Sequence, residues 1–285
     1  MIFLAKRNLK IFFRDRMHVF FSLLGVLIII ALYLLFLGDV MRQSLPEFPG
    51  VRFLMDSWIM AGTLAVATLT TTLGAFGVMV DDHVRGVRRD FLTSPLRRRS
   101  LAGGYWLGAV GIGGMLCLIT LALAEGYILL GGGKLLSPRT LLALLGVLAL
   151  GVLSSGAMAF FVVSFFRSQN AFGAASTIVG SMTGFLTGVY LPVGQLPGPV
   201  QWVVKLFPVS HVSLLLRRLM METPMAETFR DAPDKVVRDF REELGLTYFF
   251  GGHAFPAWAS AAVLVGTAAL FFALGFWNVS RKQKE

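Results

Sequence analysis

The side chains that could act on a bound molecule are few, and none completes a recognisable chemical site. Residues 131–134, GGGK, resemble the end of a phosphate-binding loop, but Leu135 stands where a Ser or Thr hydroxyl would coordinate magnesium. Residues 81–83, DDH, are of metal-ligand types, yet a solvated start of a loop is the favoured interpretation. No histidine lies mid-span beside a Ser, Asp or Glu, as an intramembrane hydrolase requires. The chain is therefore not predicted to be an enzyme, and it is expected to bind no metal or cofactor.

Buried charge is also scarce. Glu125 is the one carboxylate in the inner part of an apolar stretch, and intramembrane acids are functional candidates by default. A proton- or sodium-coupled carrier needs relays of ionisable groups, and many ion channels need rings of charged side chains. The sequence favours neither, so the energy for any transport must come from another source.

The composition is that of a protein solvated largely by lipid. Of 285 residues, 55% are hydrophobic and only 15% are charged, against about 25% charged in a soluble domain. The net charge of +10 would suggest nucleic acid in a soluble protein, but here the basic residues flank apolar stretches, so no nucleic acid partner is expected. The single cysteine, Cys117, excludes an intrachain disulfide and a cysteine-rich metal site.

Six apolar stretches reach the roughly 20 residues that a helix needs to cross a bilayer. They run approximately over Val19–Gly38, Trp58–Val80, Leu101–Leu130, Leu141–Phe166, Ala171–Leu191 and Pro256–Val279. The pattern predicts an all-α polytopic membrane protein with a single transmembrane domain over residues 1–285.

The distribution of basic residues predicts the orientation, because Lys and Arg concentrate in short cytoplasmic loops. One side holds fifteen of them: Lys6, Arg7, Lys10, Arg14, Arg16, Arg85, Arg88, Arg89, Arg97, Arg98, Arg99, Arg167, Arg281, Lys282 and Lys284. The short loops opposite hold four: Arg42, Arg52, Lys134 and Arg139. Both termini are therefore expected in the cytoplasm of a cell whose plasma membrane holds the chain.

Three polar segments lie outside the spans. Residues 1–18 mix Phe and Leu with basic residues, which favours an interfacial helix on the cytoplasmic leaflet; a simple basic flank is the alternative. The basic residues of that helix are Lys6, Arg7, Lys10, Arg14 and Arg16. Residues 81–100 form a cytoplasmic loop with a short charged helix that either receives force from a soluble partner or only fixes topology. Residues 192–255, broken by prolines, are predicted to form short helices and a small extracytoplasmic cap.

Small and hydroxyl residues recur inside two spans. Ser176, Gly180, Gly184 and Gly188 are four apart and share one helical face, which permits close helix packing at an interface or within one subunit. The second span contains a threonine cluster that includes Thr68, Thr71 and Thr72. Threonine hydroxyls in a membrane helix either bond their own backbone or line a polar route.

Three stretches, in matching order, carry a family pattern. Residues 7–16 form a basic segment with an Arg-Asp-Arg turn ahead of the first span. Residues 85–96, RGVRRDFLTSPL, keep a spacing of nine from Gly86 to Pro95. Residues 188–217 contain GVYLP, then LP, then LFPVSH, and end at Arg217. Together with the six spans, these stretches resemble the ABC-2 type permeases, the membrane subunits of ABC exporters such as the daunorubicin-resistance permeases.

The resemblance implies a type V exporter fold: six transmembrane helices, an N-terminal interfacial helix, a cytoplasmic coupling helix and extracellular re-entrant helices. It implies a separate ABC ATPase subunit that binds ATP and Mg²⁺, and a homodimer or heterodimer of permeases. The coupling residues would be Arg85, Gly86, Arg88, Arg89, Asp90, Leu92, Ser94 and Pro95. The pathway or dimer interface would include Thr68, Thr71, Thr72, Ser176, Gly180, Gly184 and Gly188. The extracellular gate would include Pro192, Pro197, Pro208 and His211.

The leading hypothesis is a permease subunit that exports a hydrophobic or amphipathic molecule when driven by a separate ATPase. Two alternatives remain open at this point. One is a secondary carrier that works without ATP, and the other is a membrane scaffold that anchors a soluble partner and transports nothing.

Overall fold

A computed structural model describes residues 1–37, 50–87, 98–230, 232–250 and 253–281. Its helices are α1 (Ile2–Arg14), α2 (Arg16–Leu32), α3 (Val51–Ala75), α4 (Gly77–Val84), α5 (Arg98–Leu130), α6 (Pro138–Val163), α7 (Gln169–Leu186), α8 (Gly198–Leu206), α9 (Pro208–Met220), α10 (Glu222–Thr228), α11 (Asp234–Glu243) and α12 (Ala257–Arg281). A π-helical turn over Tyr33–Leu37 extends α2, and a 3₁₀ turn covers Val193–Gln195. Two short antiparallel strands, β1 (Phe249–Phe250) and β2 (His253–Ala254), form a hairpin ahead of α12.

Five helical segments of the described chain are long and apolar enough to cross a membrane: Arg16–Leu35, Val51–Val84, Ser100–Leu130, Pro138–Val163 and Ala257–Val279. The bent pair α8–α9 gives a sixth if it is counted as one span. The prediction of an all-α polytopic membrane protein is thereby confirmed.

The predicted fifth stretch, Ala171–Leu191, differs from the structure. Its helix, α7, has 18 residues and ends at Leu186, and it is not among the five segments apolar enough to span. Its small and hydroxyl residues dilute its hydropathy, and the chain turns away at Gly188, which has a φ of 68°. Only glycine adopts that left-handed conformation without strain.

The central helix of the bundle is α3, whose side chains are almost all buried. It packs against α5, α6, α7 and α9, while α12 packs on α6 and α1 packs on α5. Glycines at the crossings let the backbones approach closely: a Cβ on Gly151 would lie 2.8 Å from Val212, and one on Gly156 would lie 2.9 Å from Val110.

The bundle has two distinct ends. The basic end holds α1, the end of α4, the start of α5, the α6–α7 turn and the end of α12. The cap end holds the start of α3, the α5–α6 turn and residues 188–256, except for the elbow between α8 and α9 at Phe207. At the cap end, α3 begins seven residues before the predicted Trp58, so Asp56 lies within the helix, 3.7 Å from Arg52 Nε.

Candidate coupling and gate sites

At the basic end, α1 lies in a groove of α5. Its buried face consists of Leu4, Ala5, Asn8 and Phe12. Gly104 of α5 has no side chain, so α1 can approach closely: a Cβ at that position would lie 2.7 Å from Leu4 Cδ2. The helix therefore docks by shape, through small residues on one partner and apolar residues on the other.

The opposite face of α1 is exposed and mixes charge with large apolar side chains. Phe3 is 88% exposed. Four of the five basic residues predicted for this segment are also exposed, namely Lys6, Lys10, Arg14 and Arg16. Asp15 separates α1 from α2 and caps α2, because its side chain accepts a hydrogen bond of 3.1 Å from the His18 backbone N–H.

The exception is Arg7, which reaches from α1 to α4. Its Nη1 and Nη2 lie 2.6 and 2.9 Å from the two carboxylate oxygens of Asp82. Tyr105 of α5 donates its hydroxyl to the same carboxylate at 2.7 Å. The hydrogen bond and charge of Asp82 raise the pKa of Arg7, although partial burial opposes them. One carboxylate thus joins three helices, in the bidentate geometry that makes arginine pairs strong.

The expectation that residues 81–83 are a solvated loop start is wrong for Asp82. The residue is helical and only 5% exposed. It is the acceptor for a charged and a neutral donor, and the described residues contain no group of three metal-ligating side chains that it could join. Its role is structural: it positions α1.

The predicted coupling residues are only partly described. Arg85 is exposed, and its Nε lies 2.9 Å from Asp81 one helical turn earlier. Gly86 has a φ of 76° and follows the end of α4. The other predicted coupling residues lie outside the described residues: Arg88, Arg89, Asp90, Leu92, Ser94 and Pro95.

The three threonines predicted to line a pathway lie inside the protomer. Thr68, Thr71 and Thr72 are 0% exposed. Each hydroxyl bonds a carbonyl of its own helix, and Thr68 also contacts Ser155 Oγ of α6 at 3.0 Å. These threonines therefore pack against α5 and α6 within one protomer. A threonine hydroxyl can be satisfied locally and needs no water-filled route, and a lining role stays a prediction.

The small-residue ladder of α7 also turns inward. Ser176 is half-buried, and a Cβ on Gly180 would lie 3.9 Å from Thr70 of α3. Gly184 and Gly188 are both buried. The large side chains left on the free face of α7 are different ones: Ile178 is 60% exposed, and Met182 and Phe185 are each 54% exposed. These exposed side chains lie beside the ladder, and a dimer interface at α7 stays a prediction.

Gly184 provides space for an aromatic ring. A Cβ on Gly184 would overlap the ring of Tyr190, which itself packs 5.0 Å from Phe185 between ring centroids. We predict that Gly184→Ala lowers stability by about 1–3 kcal/mol, as overpacking does, measured as a drop in melting temperature. Gly180→Ala, with no atom closer than 3.9 Å, is the control and should have little effect. In a Tyr190→Ala background, the cost of Gly184→Ala should disappear; an unchanged cost would show that the ring is not the cause.

Proline residues define the turns at the cap end. Pro192 precedes the 3₁₀ turn, Pro197 precedes α8, and Pro208 is the first residue of α9. At Pro208 the missing N–H costs nothing, because the first turn of a helix leaves that donor unpaired. The axes of α8 and α9 are bent by 87° at this point.

His211 holds the bend. It is 2% exposed, and its Nε2 donates to the Lys205 carbonyl at 3.0 Å, while its Nδ1 accepts from Ser260 Oγ at 3.1 Å. The tautomer follows from these partners, since a carbonyl can only accept. His211 therefore ties the last turn of α8 and the first turn of α12 to α9.

Arg217 is the cap residue whose role the sequence did not reveal. It is 0% exposed, and its guanidinium lies 4.4 Å from the ring centroid of Trp58. Nη2 donates to the Gly188 carbonyl at 2.8 Å, and Nη1 donates to the Leu244 carbonyl at 3.3 Å. Trp58 Nε1 donates to the same Leu244 carbonyl at 2.8 Å. Arg217 thus joins α9 to α3, to the end of α7 and to the α11–β1 loop.

No short-range pattern signals this cluster. Arg217 and Leu244 are 27 residues apart, and Trp58 and Leu244 are 186 residues apart. Among the described residues, no carboxylate pairs with Arg217. Carbonyl oxygens and an aromatic face stabilise its charge instead.

Comparison with known proteins decides the family. A family model described as "ABC-2 family transporter protein" matches residues 51–277. The chain belongs to the ABC-2 family of transporter proteins. An ABC-2 permease is a membrane transport component and not itself the catalyst, in agreement with the absence of a recognisable active site in the sequence.

Two relatives are both named Nodulation protein J. The protein from Rhizobium leguminosarum bv. trifolii is 29% identical over 217 residues, which is 72% of this chain and 76% of the relative. The protein from Rhizobium meliloti (strain 1021) is 34% identical over 86 residues, which is 30% of this chain and 33% of the relative. The family match begins at α3, so α1 and α2 lie outside it, and the position of α1 rests on its own contacts with α5 and Asp82.

Proposed function

We propose that this chain is the permease subunit of an ATP-driven exporter that moves a hydrophobic or amphipathic molecule out of the cytoplasm. Two permease chains work with separate ABC ATPase subunits, which bind the ATP and Mg²⁺. The observation that carries the proposal, beyond family membership, is the Arg7–Asp82–Tyr105 cluster. It fastens α1, whose outer face mixes basic and apolar side chains, to α4, the helix that leads into residues 85–99.

The cluster supports a route for mechanical coupling. Movement of an ATPase against residues 85–99 would reach α4 at once, and Asp82 would carry it to α1 and α5. From α4 the movement passes to α3, since only Phe76 separates the two helices. The central position of α3 then distributes the movement to α6, α7 and α9.

In this proposal the basic end faces the cytoplasm, and both termini lie on that side of the plasma membrane. The exposed Lys6, Lys10, Arg14 and Phe3 of α1 suit the surface of an anionic leaflet, where basic groups are attracted and apolar groups insert. The exposed apolar face of α7, with Ile178, is the candidate contact for the second permease chain.

The bent pair α8–α9 is proposed to be a re-entrant gate. The start of α8 is near the cap, because Gln195, three residues ahead of it, donates to the Glu243 carboxylate of α11 at 3.2 Å. The end of α9 is held at the cap by Arg217. Between them, Phe207 lines an apolar cavity of about 190 Å³ with Leu73 and Val179. Both ends thus lie at the cap end, while the elbow lies deep in the bundle.

The test removes the proposed docking segment. A variant that lacks residues 85–96 should still insert in the membrane. When this variant is purified through a tag, the ATPase subunit should copurify only at background levels, and ATP-driven flux in proteoliposomes should fall by at least tenfold. The wild-type chain should recover the ATPase in a fixed ratio.

Three results would contradict the proposal. Undiminished flux from the deletion variant would remove the coupling role of the segment. Flux driven by an ion gradient in proteoliposomes of the permease alone would favour the secondary carrier, whereas a complex that hydrolyses ATP and moves nothing would favour the scaffold.

A further inference from the structure

A groove at the cap end has the dimensions of a ligand site. It has a volume of about 910 Å³ and lies between α9, α10, α11 and the start of α12. Sites for small molecules commonly have volumes of about 300–1,000 Å³ and combine apolar walls with a few polar groups. The groove is separate from Arg217 and from the elbow at Phe207, neither of which lines it.

The floor of the groove is apolar and adaptable. Met221 and Met225 are buried beneath it, and Phe229 and Phe255 are among its lining residues. Methionine side chains are flexible and polarisable, and such surfaces adjust to apolar groups of varied shape. The floor therefore suits an alkyl chain or a similar apolar body.

Arg218 lies in one wall and is fixed in place before any ligand arrives. Its Nε donates to the Leu246 carbonyl at 2.6 Å, and its Nη2 donates to Thr247 Oγ1 at 3.3 Å and to the Phe255 carbonyl at 3.2 Å. Its Nη1 makes no hydrogen bond within the described chain. A half-buried guanidinium held by three bonds, with one nitrogen free, is a preorganised donor for an anion.

A second arginine lines the same groove from α11. Arg241 is exposed and, within the described residues, forms no ion pair; the same holds for Arg218. Among the described lining residues, Glu222 is the one carboxylate, and it pairs with neither arginine. Within the described part of the chain, the groove thus offers two arginines without an ion-pair partner above an apolar floor.

We infer that this groove binds an acidic amphiphile. The apolar portion lies on the methionine and phenylalanine floor, and a carboxylate or phosphate lies between Arg218 and Arg241. Its use as the site where an exported molecule is received after the gate rests on the proposed function. The binding itself rests only on the groove, so it can be tested without an ATPase.

The experiment uses the full chain in nanodiscs of phosphatidylcholine. The probe is a hexadecanoic acid with a photoreactive diazirine in its chain, compared with its methyl ester. We expect the acid to label residues of the groove floor, identified by mass spectrometry, at least tenfold more than the ester does.

Matched variants separate the charge from the apolar floor. Arg241→Gln should reduce labelling by the acid about tenfold and leave the weak labelling by the ester unchanged, because a charge-assisted hydrogen bond is lost. Lys235→Gln, on the same helix but outside the groove, should change neither. Ala226→Trp fills the groove from an exposed position and should abolish labelling by both probes.

Four outcomes would overturn the inference. Three of them are equal labelling by acid and ester, labelling that lies elsewhere on the chain, and an Arg241→Gln variant that behaves as wild type. The fourth is that phosphatidylglycerol, added to the disc, suppresses labelling by the acid probe as completely as unlabelled free hexadecanoic acid does. The last outcome would assign the groove to bilayer lipid. A failure of ATP-driven flux, in contrast, would remove the proposed function and leave the binding result intact.

Discussion

Replacing Arg217 with methionine should lower the melting temperature of the protein by roughly 5–10 °C. The Gly188 carbonyl would lose the Arg217 bond in a buried place, at a cost of about 1–3 kcal/mol. The contact with Trp58, at 4.4 Å, adds about 2 kcal/mol when desolvated. Release of the buried charge offsets part of this loss. A net loss of about 2–3 kcal/mol, at roughly 2–4 °C for each kcal/mol, gives the expected drop in melting temperature. The drop is measured by chromatography of the protein after heating.

A positive charge alone should not restore the stability that Arg217 provides. Arg217→Lys keeps a positive charge but cannot bond both carbonyls in a planar fork, and a buried ammonium is costlier than a guanidinium. It should melt no higher than the methionine variant. Arg230→Met, at an exposed position, is the matched control and should melt as wild type. If Arg217→Met and Arg230→Met melted alike, Arg217 would not hold the cap.

Replacing Asp82 with asparagine should release α1 from α5. The change removes a bidentate charged pair in which the Asp82 side chain is 7% exposed and that of Arg7 is 28% exposed. A loss of about 1.5–3 kcal/mol corresponds to an increase of roughly 10- to 150-fold in the undocked population. A cysteine in place of Ala5, which is 8% exposed, reports that population through its rate of reaction with maleimide. Cys117 is 0% exposed and should contribute little background.

The neighbouring residue provides the control for this experiment. Asp81 pairs with Arg85 at 2.9 Å, but this pair is largely exposed, so its loss should cost less than about 1 kcal/mol. Asp81→Asn should therefore leave the labelling rate near wild type. Equal rates in the two variants would show that the Asp82 carboxylate does not hold α1. In the proposed complex with an ATPase, Asp82→Asn but not Asp81→Asn should reduce the number of molecules moved per ATP.

The membrane class and the family could be predicted because they rest on properties that are read along the chain. Apolar length gives spans such as Leu101–Leu130 without knowledge of any neighbour. Motifs such as residues 188–217 are likewise local. The bounds of α7 could not be predicted, because its end at Leu186 is set by the turn at Gly188, whose carbonyl is bonded by Arg217.

Which face of a helix meets which neighbour was not readable. From the sequence, Thr68, Thr71 and Thr72 fitted packing better than a pathway, and only the structure shows that they are buried against α5 and α6. Asp82 was misjudged for the same reason, since its partner Arg7 is 75 residues away. A carboxylate near the end of a span looks solvated unless the distant helix that covers it is known.

The sequence by itself determined that the chain is an integral membrane protein, that it resembles the ABC-2 permeases, and that it carries no recognisable ATP-binding motif. These are consequences of composition, of residue order and of the residue types that the chemistry requires. The tertiary structure alone decided the partners of Arg7, Arg217 and Arg218. A basic residue in a sequence is only a charge, and its effect depends on whether a carboxylate, a carbonyl or an open groove lies beside it after folding.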